Sequence, residues 1–171
     1  MHSLSALAGW EEAILASLRG AHGTIEEKDD QIRRSGLYGE YPAVLRSYID
    51  HLPYDQAPEA LKRAVFLVWL AALEPPPFSG IAEFSERYSR EVMVDLEERA
   101  RDGRLDEEFL MMVAWYHSVL DAPFHLFGAD RYVPQVVRDV NPDAWRTRFT
   151  VAHFNDRGQL GHYWRSLLAK G

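Results

Sequence analysis

The run Ala64 to Leu73 puts an apolar residue at every position around a helix, and Pro75-Pro76-Pro77 closes it. A helix that is apolar all round is stable in water only when other elements cover it on every side. Its ten residues make about half a membrane span, so the cover has to come from protein rather than lipid. The reading is a central core helix with the rest of the chain wrapped round it.

The surrounding sequence is helical in pattern. Leu4, Leu7, Ile14, Leu15 and Leu18 recur at intervals of three and four, which predicts an amphipathic opening helix that ends near Gly20. Thr24-Ile25-Glu26-Glu27 has the form of a capping box and starts a second, polar helix that runs to Arg34. Gly36 and Gly39 break the chain, Pro42 suits the first turn of a third helix, and Val44, Leu45, Tyr48, Ile49 and Leu52 form its buried stripe. Asp55 is placed to cap the central helix, with Pro58 in its first turn.

Beyond the prolines, Ser79 is expected to open a long amphipathic helix with Ile81, Phe84, Tyr88, Val92 and Leu96 inward. Its other face is dense in charge, and pairs such as Glu83–Arg87 and Glu86–Arg90 are four residues apart in the favourable order. Gly103 fits a C-cap, Asp106 an N-cap, and Leu105 is spaced to staple against Leu110. Leu105, Phe109, Met112, Val113, Tyr116 and Val119 make the next inner stripe, and the short links imply antiparallel neighbours. A further helix is expected from about Asp130 to Val140, ended by Asn141-Pro142. For 148–164 two forms compete: a hairpin turning at Asn155-Asp156-Arg157-Gly158, or a helix carrying Trp145, Phe149 and Ala152 on one side.

Phe66-Leu67-Val68-Trp69 with Pro77-Phe78 is echoed by Met112-Val113-Ala114-Trp115 with Pro123-Phe124, 46 residues later. A period of about 40–47 residues is that of a HEAT- or armadillo-type helical hairpin. The fold expected is all-α: a single domain over 1–171, built as a compact multi-helix bundle or a short HEAT-like helical-hairpin stack, with a small C-terminal β-hairpin as an option.

Composition narrows the function. With no cysteine, disulfides, zinc–thiolate sites and thiol nucleophiles are excluded. Met1 to Gly9 has neither the charged nor the apolar region of a secretory signal, so a cytoplasmic protein is expected. The net charge of −7 is uneven: residues 1–127 carry 22 acidic against 12 basic side chains, and residues 128–171 carry 4 against 7. An acidic body argues against general nucleic-acid binding, which needs phosphate neutralisation. The basic tail, with Arg146, Arg148, Arg157 and Arg165, is expected to fold back on the acidic body, a small anion patch being the alternative.

No G-x-S-x-G elbow or phosphate-binding glycine loop occurs, and the carboxylate pairs Glu97-Glu98 and Glu107-Glu108 sit on charged helix faces. The leading reading is therefore non-catalytic: a protein-binding module with an acidic helical surface, an immunity-type or adaptor protein of bacterial style that neutralises a basic partner. Tyr38, Tyr41, Glu83, Glu86 and Glu91 are its candidate contacts, the tyrosines as amphipathic anchors beside flexible glycines. No cofactor is required by this reading. The alternative is a metal-dependent enzyme or metal-binding bundle using His117, Asp121 and His125, where two imidazoles and a carboxylate form a usable divalent-metal set. His153 and His162 would face each other only if the C-terminal segment were a hairpin. A small apolar ligand held between Trp69 and Trp115 ranks last, because aromatic stripes at helical spacing are ordinarily core.

Overall fold

The computed structural model describes residues 2–55 and 57–170. Among them are eleven α-helices, two short 3-10 turns and no strand, in a compact all-helical arrangement. The opening helix α1 (Leu4–Arg19) begins where the Ser3 side chain accepts the Ala6 N–H at 3.1 Å. In α2 (Ile25–Arg34) the capping box forms: Glu27 N–H donates to the Thr24 hydroxyl, and Glu27 accepts from Thr24 N–H at 2.8 Å. A 3-10 turn at Leu37–Gly39 leads into α3 (Glu40–Ile49), whose Tyr41, Val44, Leu45, Tyr48 and Ile49 are buried.

The central helix α4 (Ala57–Leu73) is buried at every residue from Ala60 to Leu70. Its N-cap position falls on Gln56, outside the described residues. Around it pack α3, α6 (Glu86–Arg101) and α11 (Gly158–Leu168), and α7 (Glu107–Val119) reaches it through side chains. Burial of each of its large side chains supplies about 1.5–3 kcal/mol. Trp69 is the centre of an aromatic cluster: it stacks on Tyr116 at 4.6 Å and meets Tyr163 edge-on at 5.5 Å. Its indole N–H donates to the carbonyls of Tyr116 (3.1 Å) and Leu120 (3.2 Å) in and just after the last turns of α7. Trp164 extends the cluster to Trp145, Phe149 and Phe154.

Side-chain contacts link α4 and α7 and show that the two helices run the same way. Lys62 pairs with Asp106 and Glu108 at their N-terminal ends, and Trp69 meets Tyr116 at the other. The two halves of the 46-residue echo are thus neighbours, but equivalent residues differ in role. Trp69 is buried where Trp115 is part-exposed and donates to the Tyr163 hydroxyl; Phe124 is buried where Phe78 is exposed.

Several expectations are corrected. Ser79 does not open the long helix. It ends the short α5 (Pro76–Ser79), Gly80 follows with φ 77°, and α6 starts after Ser85, whose side chain accepts the Tyr88 N–H at 3.3 Å. Ile81 and Phe84 are buried as expected, but from a loop. After α8 (Ala122–Phe127), the helix expected at 130–140 is confined to α9 (Val133–Val137). The optional C-terminal β-hairpin is absent: α10 (Trp145–Arg148), a 3-10 turn at Val151–Phe154 and α11 occupy that region. Gly161 gives a reason, since a Cβ there would strike the carbonyl oxygen of Phe154, and the close approach favours one tight turn feeding a helix. The longest helix has 17 residues, and no helix among the described residues is long and apolar enough to cross a membrane.

Candidate functional site

The first candidate lies at the junction of α7 and α8. Asp106 caps α7 by accepting the Phe109 N–H at 2.7 Å, which sets the phase that leaves His117 in its last turn. Leu120 is extended (φ −155°, ψ 105°) and breaks the helix; Asp121 returns to helical angles, and Ala122-Pro123 start α8. The break folds His125 back toward His117. Donor atoms of His117, Asp121 and His125 all lie within 4.8 Å of one another, and His125 Nε2 stands 3.6 Å from Asp121 Oδ2. His117 and His125 rings are 6.2 Å apart, with Phe124 against His117 at 5.5 Å. Asp121 and His125 are exposed, whereas His117 is half-buried. The Nε2 atom of His117 is shut off from solvent without a hydrogen-bond partner. Desolvation pushes its pKa down, and His125 adds to this while Asp121 opposes it. A neutral imidazole with a free lone pair is the form that binds metal.

The second candidate is a surface groove of about 490 Å³ between the end of α4, the start of α6 and α8. Val68, Ala71, Phe84, Leu126 and Phe127 supply apolar lining, and Glu83 and Glu86 lie along it. Leu126 is 65 % exposed. Glu86 pairs with Arg90 at 3.0 Å on the same helix, whereas Glu83 has no ion pair among the described residues. Two further depressions flank the first half of α6, and Arg87 and Glu91 line both.

The tyrosines do not belong to this surface. Tyr41 is fully buried, its hydroxyl lacks a partner, and burial drives its pKa well up, so its place among the contacts is withdrawn. Tyr38 is half-buried and donates to Asp29 at 2.7 Å with Arg33 over its ring, which ties it to α2. His153 and His162 also differ in role. His153 Nδ1 accepts the Thr150 N–H at 3.0 Å, and His162 Nε2 is 2.7 Å from Glu12.

What the sequence reading missed is a charged network in the interior. Glu11 on α1 is 1 % exposed; its carboxylate accepts the Tyr48 hydroxyl and, at 2.7 Å, the Gln159 N–H. Burial raises its pKa to about 7, against the pull of those two donors. Arg63 on α4 bonds Glu59 (2.7 Å) and the carbonyls of Leu4 (3.0 Å) and Asp156 (3.3 Å). Arg157 grips Glu59 with both arms and also reaches Glu108. One signal was present: Glu11 stands four after Leu7 and three before Ile14, inside the apolar stripe of α1. These contacts, with Arg148 3.7 Å from Glu107, lay the basic tail on the acidic body as its charge suggested. Arg146 instead pairs locally with Asp143.

No family model, curated protein or solved structure matches this chain at a significant level.

Proposed function

We propose that this chain is a protein-binding helical module whose contact surface is the groove along the first half of α6. The observation that carries it is a trough with apolar lining and exposed Leu126, edged by Glu83 and Glu86, of which Glu83 forms no ion pair among the described residues. An apolar centre with a charged margin is the anatomy of a binding surface. An acidic margin selects a basic partner by speeding encounter and rejecting acidic competitors. A compact all-helical body with no strand among the described residues suits a protein that presents a surface. The role that follows is an adaptor or immunity-type protein that covers a basic face of its target.

The test is a pull-down from the native host at low and high salt, run with the wild type and with Leu126→Asp and Glu83→Lys. One stoichiometric basic partner, released by salt and lost with both variants, is the expected result. A partner indifferent to salt and to both substitutions, or none at either salt, would overturn the reading.

A further inference from the structure

The α7–α8 junction supports a separate inference, independent of the groove. We propose that His117, Asp121 and His125 form a binding site for one divalent transition-metal ion of the zinc class. Three features converge there. The donor set is two imidazoles and a carboxylate, which suits zinc, nickel, cobalt or ferrous ions and not magnesium or calcium, whose ligands are oxygens. The donors are held by two helices meeting at a fixed break, and they already lie within 4.8 Å. Ligands of one zinc ion at about 2.0–2.1 Å from the metal stand about 3.3 Å apart in a tetrahedron. Asp121 and His125 are more than half exposed, which leaves their side chains room to turn toward His117.

The third feature is the enclosed Nε2 of His117 with no hydrogen-bond partner. A buried polar atom left unpaired asks for an explanation, and metal ligation is one that also accounts for its neighbours. No lysine or arginine side chain is paired with Asp121, whose ion-pair neighbour among the described residues is His125. Three protein ligands leave a position open to solvent, so a water molecule or small anion completes the shell.

The experiment uses the full chain without a histidine tag, stripped with chelator and titrated calorimetrically with zinc chloride. Magnesium chloride runs in parallel, and circular dichroism checks each variant's fold. Loss of a supporting residue around a metal lowers affinity by about 10–100-fold, so loss of a ligand should do at least as much. The expected result is one zinc per chain, no magnesium binding, and a loss of at least about tenfold in His117→Ala, Asp121→Asn and His125→Ala. His22→Ala, an exposed histidine elsewhere, should bind as the wild type does. Zinc should also shift the imidazole NMR signals of His117 and His125 and leave that of His22 in place. Absence of zinc binding to the wild type would overturn the proposal, as would stoichiometric binding that survives all three substitutions.

Discussion

Arg157, in the loop before α11, forms a two-armed pair with Glu59 on α4: Nε to Oε1 at 2.9 Å and Nη2 to Oε2 at 2.7 Å. The partners are 98 residues apart in the chain, and Arg157 also reaches Glu108 on α7. One guanidinium therefore binds the C-terminal segment to two core helices. Breaking a buried pair by removing one partner costs about 3–5 kcal/mol, because a charge is left without compensation. Here Glu59 keeps Arg63 and Glu108 keeps Lys62, so Arg157→Leu should fall near the lower end, about 3 kcal/mol. Arg157→Lys retains the charge but not the planar fork, and should lie between. Arg34→Ala, which removes an exposed pair with Asp30, should change stability by less than about 1 kcal/mol. Urea unfolding of the three variants measures this; equal losses would show that the network adds nothing beyond surface pairing.

Glu11 gives the protein a pH dependence of unusual sign for a carboxylate. Its pKa is raised to about 7 in the folded state, from an ordinary 4.5, chiefly by desolvation. The folded state thus holds the proton more tightly, so the contribution is complete below the unfolded pKa and is lost as pH rises through about 7. Each pK unit is worth about 1.4 kcal/mol, which makes the loss on the order of 3 kcal/mol between pH 4.5 and 7. Glu11→Gln can still accept the Gln159 N–H and offers an amide hydrogen to the Tyr48 oxygen, yet it cannot ionise. The variant should gain on the wild type as pH rises, with the difference largest near pH 8. Unfolding midpoints of both proteins at pH 5, 6, 7 and 8 decide it; parallel curves would mean that Glu11 does not titrate in this range.

Much of the fold was legible because helix signals are local. The Thr24 capping box, the Asp106 cap, the buried stripe of α3 and the all-round apolar α4 each depend on residues within two turns of one another. The start of α6 was misplaced because Ile81, Phe84 and Tyr88 keep helical spacing by coincidence, while Gly80 in the left-handed region and the Ser85 cap fix the true start. The C-terminal third was poorly legible for a different reason. Its helices are short, and contacts such as Arg157–Glu59 and Glu11–Gln159 join residues that no window along the sequence brings together. The histidine and aspartate grouping was readable from spacing alone, since it spans a single helix break. The groove was half readable: Glu83 and Glu86 came from charge, but Leu126 and Phe127 reach it only through the tertiary fold.

Glu97 on α6, which sequence patterning assigned to a solvated face, instead caps another helix. Its Oε1 accepts the N–H groups of Arg131 (2.9 Å) and Tyr132 (2.6 Å), and its Oε2 that of Val133 (2.9 Å) at the start of α9. Hydrogen bonds to a charged group contribute about 1.5–3 kcal/mol, and a five-residue helix has little stability of its own. Glu97→Ala should therefore lower stability by about 2 kcal/mol and, before global unfolding, speed hydrogen exchange at Arg131, Tyr132 and Val133. Unchanged exchange at these three amides would show that α9 is held by its apolar contacts alone.

The groove makes a prediction about stability that is separate from any partner. A side chain kept exposed for binding adds little to folding, whereas the lining beneath it belongs to the core. Leu126 and Glu83 are exposed, while Phe84 is buried and packed into the main cluster. Leu126→Asp and Glu83→Lys should each alter stability by no more than about 0.5 kcal/mol, and Leu126→Asp should raise solubility. Phe84→Ala should cost about 3 kcal/mol through the cavity it leaves. Thermal and urea unfolding of the three variants test this. If Leu126→Asp were as damaging as Phe84→Ala, Leu126 would be a structural residue, and the exposed apolar centre of the binding surface would be lost with it.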